Sequence, residues 1–468
     1  MKRRGAARLA VLLLLAGPWA GGSSAAQEEA LPGSAPLRVP FDRYRLSNGL
    51  TVILHEDHRL PTVVVNLWFR VGSKDESPGR TGFAHLFEHL MFMGTRNVPN
   101  GQYDALMEAA GGTNNASTSE DRTNYVETGP SNLLETFLWL EADRLANLAD
   151  GMTTEKVDLQ REVVKNERRE SYENRPYGKA DLAISEQMYP ENHPYHHPVI
   201  GSHADLSAAT AEDVKAFFRT YYVPSNASLV VAGDFAPARA REMVERTIGR
   251  IPRSPEPSHS SPAPASLQAE KRLILPDAVK LERVMLAWHS PESFGPGDAE
   301  CEVLASFLGG RKTSRLYRSL VYERKLAQNV SAEQRGSRYG GLFVVTATAQ
   351  PGHGGAELER AIDEEIRGLR TSPPAPRDVE AARASLERQF LEEMESLSER
   401  ADLLNEFEFR FGDPGQLAAR SLERFRQVTA SDLSRQAAEV LERPRLTIHV
   451  VGGKAPEDRP GPAAGGKE

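Results

Sequence analysis

The segment Phe83-Ala84-His85-Leu86-Phe87-Glu88-His89-Leu90-Met91-Phe92-Met93 is apolar except at residues 85, 88 and 89. An apolar run of this kind predicts a buried helix. At 100° per residue, the three polar side chains share one face of that helix, within an arc of roughly 100°. Two imidazoles and a carboxylate buried without partners are costly, whereas a metal ion and its water satisfy all three. The segment therefore indicates a buried metal site.

The spacing suits hydrolytic zinc chemistry. His85 and His89, at positions i and i+4, can present ring nitrogens to one Zn²⁺. Glu88 can then reach a water on the metal as general base without being a ligand. H-x-x-E-H is the inverted form of the H-E-x-x-H motif. Two alternatives stay open: a chance match, given 12 histidines in 468 residues, or a pair of ordinary core histidines.

A third ligand is expected, because a catalytic zinc ion with two histidines commonly takes a carboxylate as well. The predicted helix 154–172 offers several acidic candidates, among them Glu155, Glu162, Glu167 and Glu170. Glu167 continues the half-buried stripe of Val157, Gln160 and Val164, whereas Glu162 lies about 140° away from it. Glu167 is the predicted third ligand; the alternative is an exposed acid in a charge-rich helix.

The N-terminus has the pattern of an export signal. Four basic residues precede the apolar stretch 10–16, and small residues follow up to Ala26. We expect cleavage near Ala26 and a periplasmic or secreted protein. The stretch is too short to span a bilayer, and no other apolar run reaches about 18 residues, so no membrane span is expected.

The net charge limits the possible binding partners, and the cysteine content limits the possible disulfides. The formal net charge is −8, and removal of the four basic residues of the signal leaves −12. An acidic surface disfavours nucleic acid and anionic membranes as partners. Cys301 is the single cysteine of the sequence, so no internal disulfide is expected.

The chain contains an internal duplication. The segment 63–68 matches 283–288, and 210–214 matches 429–433, at a nearly constant offset along the chain. The latter pair predicts two helix starts with N-caps Thr210 and Thr429, each leading to a terminal strand. The duplication therefore predicts two α+β domains of the same design. Only the first contains H-x-x-E-H.

These features predict the domain boundaries. In chain order they are a signal peptide (1–26), a flexible segment (27–40), a catalytic N-terminal domain (41–252), a Pro- and Ser-rich linker (253–269), a non-catalytic C-terminal domain (270–453) and a disordered tail (454–468).

The chain resembles the pitrilysin or insulinase family of zinc metallopeptidases, in its half-size bacterial form. Family members carry the inverted motif and, at a characteristic distance further along the chain, a glutamate ligand; here Glu167 follows His89 at that distance. Other matching segments are 111–118 with Thr123 and Tyr125, His193-Pro194-Tyr195, and Ser314-Arg315-Leu316-Tyr317. The resemblance implies two α/β sandwich domains, each an antiparallel-rich sheet covered by helices, and one Zn²⁺ per chain.

The resemblance also assigns substrate contacts. Asn115 and Ala116 lie in the segment that resembles the family's exposed edge strand, which pairs with an extended peptide through main-chain groups. An ordinary turn and strand is the alternative there. Gln160 occupies a position where relatives often have a glutamate near the metal ligands, so its amide is expected to hydrogen-bond behind them and tune the site.

One departure from the family bears on assembly. Relatives hold substrate with an Arg and a Tyr in the second half, whereas this chain has Tyr322 and Gln328 at the aligned positions. The resemblance thus implies a dimer, and the incomplete clamp favours a heterodimer with a non-catalytic paralogue.

The expected function is a zinc metalloendopeptidase that cleaves peptides or unfolded polypeptide segments with a zinc-activated water and Glu88 as base. Two alternatives remain: a structural or partner subunit that keeps the fold without cleaving, and a periplasmic peptide- or metal-binding protein.

Overall fold

The computed structural model describes residues 38–453. The predicted signal peptide, nearly all of the predicted flexible segment and the predicted C-terminal tail lie outside the described residues.

The first half is built on a six-stranded sheet in the order β1-β2-β6-β3-β5-β4. Its strands are β1 (Asp42–Arg45), β2 (Thr51–Glu56), β3 (Thr62–Phe69), β4 (Thr113–Thr118), β5 (Thr123–Pro130) and β6 (Ala227–Gly233). All neighbours are antiparallel except β2 and β6, which run parallel. Strand β4 therefore lies at an edge.

The second half repeats this topology, and its described residues, up to 453, form no counterpart of β1. Its strands are β7 (Lys271–Asp277), β8 (Arg283–Ser290), β9 (Ala327–Arg335), β10 (Gly341–Ala349) and β11 (Leu446–Gly452). They form a sheet in the order β7-β11-β8-β10-β9, in which β7 and β11 are the parallel pair. The predicted duplication and fold class are confirmed.

Helices cover both sheets. Those of the first half are α1 (Phe83–Leu90), α2 (Gln102–Ala109), α3 (Leu134–Gly151), α4 (Thr154–Arg168), α5 (Gly178–Met188), α6 (His203–Ala208), α7 (Ala211–Tyr221) and α8 (Pro237–Arg246). Those of the second half are α9 (Asp298–Leu308), α10 (Gly355–Thr371), α11 (Pro376–Glu395), α12 (Leu397–Phe411), α13 (Arg424–Arg426) and α14 (Ala430–Leu441). A π-helical turn, Tyr317–Glu323, precedes β9.

Equivalent helices of the two halves begin in the same way. Thr210 accepts a hydrogen bond from the Asp213 amide, and the Asp213 carboxylate accepts one from the Thr210 amide. Thr429 and Asp432 form the same reciprocal pair at the start of α14. These capping boxes confirm the two predicted helix starts.

The first sheet packs between two sets of helices. One face, with Val65, Leu67 and Phe69, belongs to a buried cluster that includes Leu86 and Phe87 of the metal-motif helix α1. The other face contacts α12 of the second half, where Asn405 donates to the Asn66 carbonyl. The two halves are thus joined through a shared polar and apolar layer.

Among residues 38–453, no helix combines the length and apolarity required to cross a bilayer. Cys301 is buried in the second half.

Candidate metal centre

Helix α1 is anchored at its N-terminus by a residue outside the helix. Its N-cap, Gly82, has φ +86° and no side chain to cap the first amides. Glu76 replaces the missing cap: its carboxylate accepts hydrogen bonds from Gly82 N at 2.9 Å and from Ala84 N at 2.7 Å. The Glu76 side chain is fully buried, and burial raises its pKa well above the usual value. This contact fixes the residue next to His85.

Aromatic packing sets the rotation of α1. The ring of Phe87 stacks on Phe218 of α7 and on Tyr222, at centroid distances of 5.4 and 4.6 Å. Leu86 and Leu90 are also buried. Because the apolar side of α1 is buried in this way, its polar side faces α4.

Helix α4 brings Glu167 to the two histidines. Glu167 Oε2 lies 3.7 Å from His85 Nε2 and 3.3 Å from His89 Nε2. One ligand atom of each of the three residues lies within 4.8 Å of the others, and residues 38–453 contain no second group of three such side chains. The structure thus places together the three residues that the sequence predicts as ligands.

This donor set fits a zinc ion. Tetrahedral zinc with bonds of about 2.0–2.1 Å holds its ligand atoms roughly 3.3–3.4 Å apart. The Glu167–His89 separation of 3.3 Å lies in that range and the Glu167–His85 separation of 3.7 Å lies slightly above it, while the atoms of the third pair lie within 4.8 Å of each other. Two imidazoles and one carboxylate are also the ligand types of hydrolytic zinc sites, which leave a coordination position open.

The electrostatics favour ligand forms at neutral pH. Burial lowers the pKa of His85 to about 4, so its imidazole is neutral. The hydrogen bond with the neighbouring His89 lowers the pKa of Glu167, so its carboxylate is ionised. A neutral imidazole and an ionised carboxylate both have lone pairs available for a cation.

Glu88 lies beside this group but outside it. Its carboxylate accepts a hydrogen bond of 2.6 Å from the Thr118 hydroxyl, at the end of edge strand β4. Burial raises the pKa of Glu88, and the hydrogen bond from Thr118 offsets part of this effect. An unliganded acid is thereby held in one orientation next to the candidate metal centre.

The remaining predicted residues have different positions. Asn115 and Ala116 lie on β4, where Asn115 is exposed and Ala116 is half-buried. Gln160 lies on α4, but its amide donates to Met93 Sδ at 2.8 Å. Among the described side chains, Gln160 makes no hydrogen bond to the three candidate ligands.

Sequence reasoning missed two contacts of the site. Thr118 lies inside the quoted segment 111–118, but nothing in the sequence pairs it with Glu88. Glu76 precedes α1 by several residues, and no local pattern marks it as a cap. Both contacts depend on how separate segments fold back on each other.

Comparisons with known proteins agree with this fold. The sequence model of the insulinase family (peptidase family M16) matches residues 51–199, and the model described as the peptidase M16 inactive domain matches residues 208–386. Together they cover more than half of the chain, which therefore belongs to the M16 family of peptidases.

Individual relatives match most of this chain. The chain is 28% identical to the zinc protease PqqE of Helicobacter pylori over 77% of this chain and 82% of that protein. It matches the crystal structure of a protease from Helicobacter pylori with a TM-score of 0.82 and 26% identity, covering 88% of this chain and 99% of the other. It also matches PqqL of Escherichia coli with a TM-score of 0.74 and 18% identity, over 90% of this chain but 48% of PqqL. The chain is thus a half-size member of the family.

Proposed function

We propose that this protein is a zinc-dependent metalloendopeptidase that hydrolyses peptides or unfolded polypeptide segments. The observation that carries the proposal is the convergence of His85, His89 and Glu167, with the unliganded Glu88 beside them. The names of relatives as zinc proteases support the same chemistry.

One zinc ion per chain would be held by His85, His89 and Glu167, and when bound it polarises the scissile carbonyl and acidifies a water molecule. Glu88 accepts a proton as the oxygen of the attacking water bonds to the carbonyl carbon. It then delivers this proton to the amine nitrogen as the carbon–nitrogen bond breaks. The hydrogen bond from Thr118 keeps the Glu88 carboxylate aimed at this position.

Strand β4 is the proposed binding surface for the substrate. As an edge strand it has main-chain groups that no neighbouring strand pairs. An extended peptide can add to it through these groups, with Asn115 and Ala116 facing the peptide backbone. Main-chain pairing gives affinity with little dependence on substrate side chains.

Zinc analysis and peptide cleavage test the proposal. Wild type is compared with Glu88→Gln, Glu167→Gln and the matched control Glu162→Gln, which changes an exposed acid on the same helix. We expect Glu88→Gln to keep stoichiometric zinc and lose at least 100-fold in kcat. Glu167→Gln should lose zinc, and Glu162→Gln should behave as wild type.

Other results assign another function. Equal cleavage by wild type and Glu88→Gln, with zinc bound and any partner present, contradicts the peptidase and favours a structural subunit. Stable capture of uncleaved peptide by wild type favours a peptide-binding protein.

We further propose that the active form is a dimer, and specifically a heterodimer with a non-catalytic paralogue. Tyr322 is 56% exposed and Gln328 is also exposed, and neither residue can reproduce an Arg and Tyr clamp. A partner chain would supply these groups. Cleavage should rise at least 10-fold when the paralogue is added, and full activity of a purified monomer would contradict this assembly.

We also propose that the protein is exported to the periplasm. It rests on the signal-like pattern of residues 1–26. The structural relative PqqL is described as a periplasmic protease. Cell fractionation with N-terminal sequencing of the mature protein tests it; a cytoplasmic protein that retains residue 1 is the contrary result.

A further inference from the structure

A cavity of about 300 Å³ lies where the two halves meet, away from the candidate metal ligands. The first half contributes Trp68, Arg70 and Arg122 to its walls. The second half contributes Arg338, the aromatic ring of Phe409 and Arg410. Four guanidinium groups therefore line one cavity, which is partly open to solvent.

These four arginines have no acidic partner. Within residues 38–453, none of Arg70, Arg122, Arg338 and Arg410 has a carboxylate oxygen within 4.0 Å. Arg122 instead donates to the Ser117 carbonyl at 2.9 Å and to the Asn124 amide oxygen at 3.0 Å. The arrangement differs from most of the chain, where arginine–carboxylate pairs are frequent.

Aromatic rings hold two of the arginines in place. The Arg70 guanidinium lies 4.7 Å from the centroid of the Phe409 ring, and that of Arg122 lies 4.8 Å from the Trp68 ring. Burial, followed by repulsion from Arg338, lowers the pKa of Arg70. Guanidinium groups of both halves thus lie close to one another without a directly paired carboxylate.

Four acids also line the cavity, but they contact other groups rather than the four guanidinium groups. Asp402 Oδ1 already accepts hydrogen bonds from Asn66, Trp68 and Asn124 at 3.0, 2.9 and 3.3 Å. Burial raises the pKa of Glu406, whereas the charges of Arg410 and Arg122 lower it. Glu406 forms no ion pair within 4.0 Å with any of the four guanidinium groups among the described residues.

The other two acids of the cavity are Asp121 and Glu120. Asp121 accepts from the Tyr195 hydroxyl and from the Arg338 main-chain amide. Burial raises the pKa of Glu120. Within residues 38–453, no carboxylate of the cavity is paired with any of the four guanidinium groups, so their donors can bind an anion from solution.

We propose that this cavity binds a small oxyanion with at least two negative charges, of the phosphate or dicarboxylate class. The anion would bridge Arg70 and Arg122 of the first half to Arg338 and Arg410 of the second half. Guanidinium groups donate paired hydrogen bonds to the oxygens of such anions. A volume of about 300 Å³ is at the lower end of small-molecule sites, which suits a compact ligand.

Calorimetric titration of the zinc-loaded mature protein tests the proposal, with inorganic phosphate in one arm and succinate in the other. Ionic strength is held constant with sodium chloride. We expect saturable binding in at least one arm, and the arm that saturates identifies the class of anion. Arg338→Gln and Arg410→Gln should each weaken it at least 10-fold. Arg239→Gln, an exposed residue of α8, is the control with the same change in charge and should bind as wild type.

Two results overturn the proposal. One is the absence of saturable binding in both arms. The other is binding that persists unchanged in Arg338→Gln and Arg410→Gln, since this locates the anion elsewhere, including at the zinc ion. Circular dichroism of each variant establishes that it is folded before titration.

Discussion

At the scale of single residues, the candidate metal centre depends on groups that never touch the metal. The carboxylate of Glu76 holds the amides of Gly82 and Ala84, and thereby the start of the helix that carries His85. The Thr118 hydroxyl donates a hydrogen bond to the Glu88 carboxylate and thereby fixes the orientation of that side chain. Ligand geometry is therefore set partly by buried hydrogen bonds to the helix carrying the ligands.

Glu76→Ala should weaken zinc binding. The substitution leaves two buried amides without acceptors, which costs about 1–3 kcal/mol and loosens the helix turn before His85. We expect the dissociation constant for zinc to rise about 10-fold, since about 1.4 kcal/mol corresponds to tenfold. Competition with a chelating indicator measures this constant. Hydrogen exchange at Ala84 should accelerate in the same variant.

Two further variants are compared with Glu76→Ala. Glu76→Gln keeps one carbonyl acceptor and should lie between wild type and Glu76→Ala. Glu191→Ala removes an exposed acid and serves as the control. Unchanged zinc affinity in Glu76→Ala would show that α1 holds its position without this cap.

The candidate site residues were predictable because three of them are close in sequence and the fourth follows a helical periodicity. His85, Glu88 and His89 lie within one helical turn, and Glu167 continues the half-buried stripe of α4 that includes Gln160. Periodicity can identify such positions. It cannot identify Glu76 or Thr118, whose contacts join separate segments.

At the scale of elements, β4 combines an exposed edge with a direct link to Glu88. The Ala116 amide donates to the side chain of Asn115 at 2.9 Å, not to a carbonyl of β5. This N–H does not pair within the sheet, and the carbonyl of a peptide that adds to the edge can replace the Asn115 side chain as its acceptor. The proposed peptide-binding edge and the hydrogen bond to Glu88 thus lie within a few residues of one strand.

Ala116→Pro should impair substrate binding without unfolding the protein. Proline removes an N–H that the sheet does not use, and edge strands tolerate proline at such positions. We expect KM for a peptide substrate to rise about 5-fold, as one hydrogen bond of about 1 kcal/mol is lost. Steady-state kinetics and thermal unfolding measure the two quantities.

Ala116→Ser keeps the N–H and is the matched control. If KM stays at the wild-type value in Ala116→Pro while the melting temperature is also unchanged, then the peptide does not pair with this part of β4.

Element ends were less predictable than element positions. The apolar run predicts a helix to Met93, but α1 ends at Leu90. Gly94 follows at φ +73°, and a Cβ there would lie 2.5 Å from the Val98 carbonyl oxygen, so the chain turns tightly here. Apolar periodicity alone does not distinguish the last helical turn from a buried turn of this kind.

At the scale of the whole molecule, the duplication could be predicted from the sequence, but the junction between the two halves could not. The repeated segments at 63–68 and 283–288 became central strands β3 and β8 of two matching sheets. The placement of α12 on the first sheet depends on scattered polar contacts such as Asn405 to Asn66. The periodicity of the sequence does not predict which surface of the first half α12 covers.

Charged pairs reinforce this junction. Arg43 binds Glu408 through two hydrogen bonds of 2.7 Å, and Arg400 binds Asp57 at 2.6 Å. The side chains of Asp57 and Arg400 are only 12% and 7% exposed. The Arg59 guanidinium, together with Arg400, holds the pKa of Asp57 well below its usual range. The ionised Asp57 therefore stabilises the folded state.

Asp57→Asn should destabilise the protein in a way that depends on pH. A carboxyl group with a depressed folded pKa contributes its stability above its unfolded pKa of about 3.9, and loses it as pH falls towards the folded value. We expect the variant to lose about 2 kcal/mol of unfolding free energy at pH 7, the scale of hydrogen bonds to charged groups. The difference from wild type should shrink below about pH 4. Urea unfolding at pH 7, 5 and 3.5 measures it, with Asp42→Asn, an exposed acid of β1, as control. A difference that stays constant down to pH 3.5 would show that Asp57 acts through its shape and packing, and that the junction is not held by its charge.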